Sequence, residues 1–512
     1  MTRVISVNPT TGEELELEVE ETTPEQVVAA ANRAAHAARD VAARPLAWRA
    51  GLLRAMADQL EDDDAELVDL AMRETALTRP RLEGELRRTA FQLRFFADVV
   101  LEGSFLGVSI DHATDSPMGP LPDLRRVRVP LGPVAIFGSS NFPFAFSVPG
   151  GDTASALAAG CPVLIKAHPA HPATSQRAFA ALARAAHAFD APEGLLALVF
   201  GFEAGVALVE APGVTAVGFT GSIPAGRALW ARANARATPI PFYGELGSAN
   251  PLVVTSAGAA ERAREIGAGI AGSMTLGVGQ FCTKPGLLFV PQDEPGDELV
   301  ASLVNALDEL TSMTMLTGGI ADHFRLGAVA ITGVDGNHHL VGGGAHQGTS
   351  VTAQLFEVPA TLFADTSSAP LRDEWFGPLA VVIRYRSREE LELALDAVSP
   401  SLTFSVFSAV KDDDAAWLLS VGQSKAGRVI VNGYPTGVGV SWSMQHGGPW
   451  PATTAPASTS VGAASIERWL RPVTYQSVPA ALLPDALRDD NPLGVPQRVD
   501  GVAREVLATR LG

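Results

Sequence analysis

The chain has 512 residues, 47% apolar and 18% charged, enough for two or three domains with full cores, and no run reaches the ~18 apolar residues of a membrane helix. Its 38 Lys and Arg against 56 Asp and Glu give a formal charge of −18, which argues against nucleic acid or an anionic membrane surface as partner, so an anionic ligand needs a local cationic pocket. Two cysteines, Cys161 and Cys282, supply neither a metal-ligand spacing nor a disulfide framework, and the amino terminus lacks an apolar signal core, so a cytoplasmic location and no metal are expected.

From Pro24 to Leu70 apolar residues recur at helical spacing, with the acidic run Glu61–Asp64 reading as a solvated face. A further helix is predicted from Leu82 to Val100, carrying Arg88, Gln92 and Arg94 beside Phe91, Phe95 and Phe96. Leu124 to Pro130 alternates arginine with apolar residues, as an edge or subunit-bridging strand does. Strands at 134–137, 162–166 and 195–200 then alternate with helices at 151–159 and 174–189, predicting a parallel α/β sheet. A strand at 216–219 leads into Thr220-Gly221-Ser222, where Ser222 can cap a helix starting at Ile223. Alternation resumes from Pro251 to Phe407 as a second α/β unit, and the Pro/Gly/Ser/Thr-rich stretch from Gly433 to Ser460 is irregular.

Four local patterns carry chemistry. Cys282, in Gly279-Gln280-Phe281-Cys282-Thr283, is either a small buried hydrophobe or a nucleophile that small neighbours leave open to a substrate. Glu245, in Gly244-Glu245-Leu246-Gly247, is a general base if an apolar setting raises its pKa, and otherwise a surface carboxylate. Asn141, just after the strand ending at Phe137, is an oxyanion donor or a turn residue. Gly221 and Gly226, opening a helix after a strand, suit a dinucleotide pyrophosphate or an ordinary tight turn. Cys161, between Gly160 and Pro162, reads as packing.

Taken together, Asn8-Pro-Thr-Thr-Gly12, Asn141, Lys166, Phe219-Thr-Gly-Ser222, Glu245-Leu-Gly247, Cys282 and Glu374-Trp-Phe-Gly-Pro378 resemble, in kind and order, the motifs of aldehyde dehydrogenases across nearly the whole chain. The phrases Gly150–Leu157, Lys166–Pro172, Gly277–Cys282, Met444–Gly448 and Ser460–Pro472 are similar to those of the 2-oxoglutarate semialdehyde and NADP-dependent fatty aldehyde branches. The resemblance implies an α/β fold with a Rossmann-type dinucleotide-binding domain (1–110 and 131–247), a catalytic domain (248–445) and a small β oligomerisation element with the carboxyl-terminal segment (111–130 and 446–512). It implies Cys282 as nucleophile, Glu245 as base for hydrolysis of a thioester, and Asn141 with the Cys282 amide as oxyanion hole. It further implies Lys166, Gly221, Ser222, Gly226, Glu374 and Phe376 around NADP or NAD, and a homodimer or homotetramer acting on a small aldehyde.

Two departures bear on specificity. Pro169 stands where many NAD-using relatives carry a glutamate, which leaves room for a 2′-phosphate and favours NADP; Ser248-Ala249 replaces a common Gly-Lys. Phe142, Gln280 and Phe281 are expected near the substrate, with Arg94 as the cation for a substrate carboxylate. A medium- or long-chain aliphatic aldehyde, using Phe142, Phe144, Phe146 and Phe281 as an apolar tunnel, is the alternative substrate. A non-redox cysteine hydrolase or acyl transferase, and a silent binding protein that keeps only the fold, are the alternatives of other classes.

Overall fold

The computed structural model describes residues 2–343 and 348–504. Thr23 and Gln26 form a reciprocal capping box with Pro24 in the first turn, and the helix Pro24–Ala43 that they start buries Val27, Ala30, Ala31, Ala34 and Val41 on one face. The helices Leu46–Asp62, Asp64–Thr75 and Arg79–Glu102 follow. They pack with Gly151–Ala159 and Pro172–Ala188 into one apolar core.

That core lies on a five-stranded, wholly parallel sheet in the order Phe242–Glu245, Ala216–Thr220, Val134–Phe137, Val163–Lys166, Leu196–Val199. Its register aligns Phe137 with Lys166 and with Phe219, and Thr220 with Glu245, so the carboxyl ends of four strands open on one edge. Ligand crevices of open parallel sheets form at such an edge. A second sheet of seven strands runs His338–Val341, Gln354–Pro359, Leu379–Tyr385, Leu287–Pro291, Pro251–Val254, Ser401–Phe407, Ala426–Val431, antiparallel only at its first member.

A third sheet joins Leu470–Gln476, Leu124–Pro130, Val108–Asp111, Gln497–Val499 and Val502–Arg504. Of the two readings of Leu124–Pro130, an edge or a subunit-bridging strand, the edge is corrected: Leu470–Gln476 pairs with that strand along its whole length and is itself the edge among the described residues. The alternation of Arg126 and Arg128 with Val127 and Val129 holds, but it does not distinguish an edge strand from an inner one, and the arginine before it is internal. Arg125 is buried and held by Asp123 at 2.9 Å and Asp489 at 2.8 Å. Among the described residues no helix is long and apolar enough to cross a membrane.

Candidate active site

Cys282 lies in the turn between the helix Ser256–Thr275 and the strand Leu287–Pro291. Gly277, Val278 and Gly279 all have positive φ, at +59°, +62° and +66°, so the chain reverses within three residues. A β-branched residue is strained there, and strain of this kind persists only where surrounding contacts impose it. Those contacts are visible. Gln280 spends its side chain on the turn itself, accepting from Leu316 N at 3.1 Å and donating to Gly277 O at 3.3 Å, which corrects its assignment to the substrate. Asn250, fully buried at φ +49°, donates to the carbonyls of Cys282 at 2.7 Å and Lys284 at 3.0 Å, while its Oδ1 accepts from Ser248 Oγ and from Thr403. The Ser248 that departs from the common Gly-Lys pair is therefore part of the frame that holds the cysteine.

Around the sulfur the structure gathers Glu245, Asn141 and a group unassigned in the sequence, His446. The Sγ of Cys282 is 3.7 Å from His446 Nε2. Burial, reinforced by the carboxylates of Glu374 and Glu245, pushes the thiol up to about 12, with Arg428 opposing. Burial first, then the charges of Arg428 and Arg88, bring His446 down to about 3, so its imidazole is neutral. Glu245 ends its strand fully enclosed, and burial raises it well above the usual carboxylate range; Asp152 adds to this, while Arg468 and a hydrogen bond from Thr453 oppose it. Its Oε2 has no hydrogen-bond partner among the described residues, as suits an oxygen that takes a proton from a water. Asn141 Nδ2 donates to Gln280 O at 2.7 Å, which fixes the amide beside the cysteine turn.

Cys282, Glu245 and Asn141 share one cleft of about 1520 Å³ with Lys166, Gly221, Ser222, Glu374 and Phe376. The cleft starts at the strand ends and passes the amino end of the helix Ile223–Ala235, which Ser222 caps by accepting from Ala225 N. A Cβ on Gly247 would fall 2.3 Å from Glu374 Oε2, so that glycine leaves room for the carboxylate. Burial holds Glu374 above the usual carboxylate range and Lys284, which partly offsets it, below the usual amine range. Lys166 donates to Ala167 O at 2.8 Å, and burial brings its amine down to about 8 against the pull of Glu21. A long cleft with an amine and a helix amino end on one side and a carboxylate near a thiol on the other fits a dinucleotide. Gly226 is a correction: it lies under the cleft, where a Cβ would strike Leu246 at 2.3 Å, and it serves the packing of helix on strand.

On the substrate side Phe142 meets Phe146 and Phe281 edge-on, each at 5.1 Å. Phe144 does not join them, being fully buried in the helical core. Arg94 is a further correction. Its guanidinium binds Asp58 and Glu61 at 2.6 Å on the outer surface, away from the cysteine. The stripe of its helix that faces inward is Arg81, Glu85, Arg88, Gln92 and Phe95, at the 4-3-4-3 spacing of one face. Arg94 is six residues past Arg88, about 240° further round the helix. Cys161 is fully buried, its thiol pushed up to about 11 by burial, and takes no part.

A thiol, an enclosed carboxylate and a side-chain amide at the end of a dinucleotide-sized cleft form the apparatus for covalent oxidation of a carbonyl. The model of the aldehyde dehydrogenase family matches residues 2–453. The chain belongs to the aldehyde dehydrogenase family. This dehydrogenase is 46% identical over 481 residues to alpha-ketoglutaric semialdehyde dehydrogenase 2 of Azospirillum brasilense, covering 92% of this chain and 91% of that protein. It is 40% identical over 458 residues to the alpha-ketoglutaric semialdehyde dehydrogenase of Acinetobacter baylyi, covering 89% and 87%. Its fold is similar to that of aldehyde dehydrogenase 21 from Physcomitrella patens, solved with the reaction product succinate, with a TM-score of 0.79 at 19% identity over 93% of this chain and 95% of that one. The enzyme is an oxidoreductase of a family that uses NAD(P).

Proposed function

We propose that this enzyme oxidises 2-oxoglutarate semialdehyde to 2-oxoglutarate with NAD(P), through a covalent adduct on Cys282. The convergence of Cys282, Glu245 and Asn141 on one end of the cleft carries the mechanism, and likeness to the Azospirillum and Acinetobacter enzymes carries the substrate. Cys282 loses its proton and adds to the aldehyde carbon, and the Asn141 amide with the Cys282 N–H stabilises the oxygen that gains the charge. Glu374 and Phe376, which line the cleft, would hold a nicotinamide at its ribose and flank its ring, and that group, when bound, would supply the hydride acceptor for oxidation of the adduct to the acyl level. Lys166 would hold the adenosine ribose, and Gly221 with Ser222 would meet the pyrophosphate at the amino end of the helix. Glu245 then takes a proton from a water, the hydroxide displaces the thiolate, and the carboxylate product leaves. In sum, an aldehyde, an oxidised cofactor and a water give a carboxylate, a reduced cofactor and two protons.

The absence of a carboxylate at Pro169 and the presence of Lys166 on the cleft wall support NADP over NAD. The strand Leu470–Gln476, an edge among the described residues, supports a homodimer or homotetramer built through it. The three sheets support division into a dinucleotide-binding domain, a catalytic domain and a bridging element, and the sparing use of cysteine supports the cytoplasm. A second reading, oxidation of aliphatic aldehydes of medium length, draws support from the Phe142, Phe146 and Phe281 cluster. The deciding experiment is reduced-cofactor formation by purified enzyme with 2-oxoglutarate semialdehyde and with hexanal, each with NADP and NAD, with Cys282→Ala as control. A higher kcat/KM for the oxo acid upholds the proposal; preference for hexanal replaces its substrate, and Cys282-independent turnover removes its mechanism.

A further inference from the structure

The face of the Arg79–Glu102 helix that looks toward Cys282 carries two guanidinium groups and one carboxylate. Glu85 is already committed. It accepts from Arg81 Nη1 at 2.6 Å and, through its other oxygen, from the backbone amides of Phe144 and Ala145, each at 2.9 Å. Arg88 therefore has no carboxylate of its own. Its Nη2 donates to Val438 O at 3.2 Å, in the loop after Val431, while its Nη1 is buried and has no hydrogen-bond partner among the described residues. Two positive groups against one negative leave a net charge of one positive unit on this face, and a buried donor without an acceptor is costly.

The same arginine is tied to the reacting centre. Its guanidinium lies 5.1 Å above the ring of Phe146, which packs on Phe142 on one side and on His446, at 6.3 Å, on the other. His446 in turn touches the sulfur of Cys282. Neither Arg88 nor Phe142, Phe146 or Phe281 lines the cofactor cleft, whereas Cys282 and His446 do. The rings of Phe146 and His446 therefore form a contact chain from Cys282 to Arg88 that the cofactor cleft leaves free for the rest of an aldehyde.

We infer that Arg88 is the specificity residue that receives the distal carboxylate of an acidic aldehyde, using its unpaired Nη1 and the surplus positive charge it shares with Arg81. The inference rests on the substrate reading above and deepens it. A short oxo acid satisfies both halves of the site: its methylenes lie among Phe142, Phe146 and Phe281, and its anionic end reaches the guanidinium with a charge-assisted hydrogen bond. A neutral aldehyde of the same length gains the apolar contact only and leaves Nη1 unsatisfied, and sites built to hydrogen-bond a substrate discriminate strongly against analogues without the group.

The test compares Arg88→Met, Arg88→Lys and the unmodified enzyme on 2-oxoglutarate semialdehyde and on hexanal. Arg88→Met should lower kcat/KM for the oxo acid about 100-fold, mainly through KM, and at least tenfold more than for hexanal, with Arg88→Lys recovering part of the loss. Equal losses on both substrates would reduce Arg88 to a prop for the Val438 loop and overturn the inference. A second measurement needs no variant: inhibition of hexanal oxidation in the unmodified enzyme by 2-oxoglutarate and by pentanoate. A distal anion site makes the dicarboxylate the stronger inhibitor by tenfold or more, and equal inhibition overturns it. If the unmodified enzyme ignores the oxo acid as substrate yet is still selectively inhibited by the dicarboxylate, the substrate reading fails and the Arg88 site stands.

Discussion

His446 Nε2 sits 3.7 Å from Cys282 Sγ, so the group nearest the nucleophile in position to exchange a proton is a neutral imidazole and not a carboxylate. With the thiol held up to about 12 and the imidazole down to about 3, this contact stabilises and aligns the sulfur without forming a resting ion pair. His446→Ala should slow alkylation of Cys282 by iodoacetamide at pH 8 about tenfold, and slow the first turnover of reduced cofactor by a like factor. His446→Gln, which keeps a polar group, should restore part of both. Unchanged alkylation in His446→Ala would make the contact mere packing.

Glu245, as the proposed base, should set the acid side of the pH profile. Burial raises its pKa, so it stays protonated at pH values where an exposed glutamate is ionised, and hydrolysis of the thioester falls as pH drops through that raised value. In Glu245→Gln the limb should vanish and steady-state turnover should fall by about 10²–10⁴, while a stoichiometric burst of reduced cofactor persists. An acid limb retained in that variant would assign it to another group.

Gly279 and Gly272 should respond in opposite directions. A Cβ on Gly279, at φ +66°, would lie 2.4 Å from the backbone of Gly377 and Pro378, which cannot retreat. Gly279→Ala should cost more than ~1 kcal/mol and at least tenfold in kcat, because the displaced turn carries Cys282. Gly272, exposed in the helix Ser256–Thr275 with nothing within 4 Å, should instead gain about 0.5–1 kcal/mol as alanine. Urea denaturation of both variants measures the contrast.

Asn250→Ala should cost about 3 kcal/mol, since it strands the buried carbonyls of Cys282 and Lys284 and the hydroxyl of Thr403. Turnover should fall more than affinity for the cofactor. Cofactor binding by fluorescence titration alongside kcat separates the two, and an equal loss of both would point to general loosening.

What the sequence disclosed follows from how local its signals are. The strand Val134–Phe137 and the helix Gly151–Ala159 agree residue for residue with the pattern of apolar runs and glycine boundaries. Cys282, Glu245 and Glu374 stand out because close approach demands small neighbours, and small neighbours are visible in one dimension. Arg88 and Arg94 lie on one predicted helix, and only the docking of that helix decides which of them looks inward. His446 stands in the phrase Met444–Gly448, yet neither it nor Asn250 shows its role locally, since one acts across 164 residues of chain and the other across 32. The inner position of Leu124–Pro130 depends on a strand that arrives only at Leu470.

The irregular segment after Met444 does more than pass the site. Gly244 N donates to Thr454 Oγ1, Thr454 N to Gly244 O and Leu246 N to Ala452 O, so the segment runs as a short additional rail beside Glu245. At its other end His446 N donates to Thr459 Oγ1 and Ser460 N to His446 O, which closes the segment into a loop bearing the imidazole. Glu245 and His446 are thus tied to one segment, which through Gly447 and Gly448 also abuts Gly427 and Ser401 of the seven-stranded sheet, the sheet whose strand Leu287–Pro291 follows the Cys282 turn. Carboxylate and imidazole share one tether, and a substitution anywhere from Met444 to Ser460 reaches both at once.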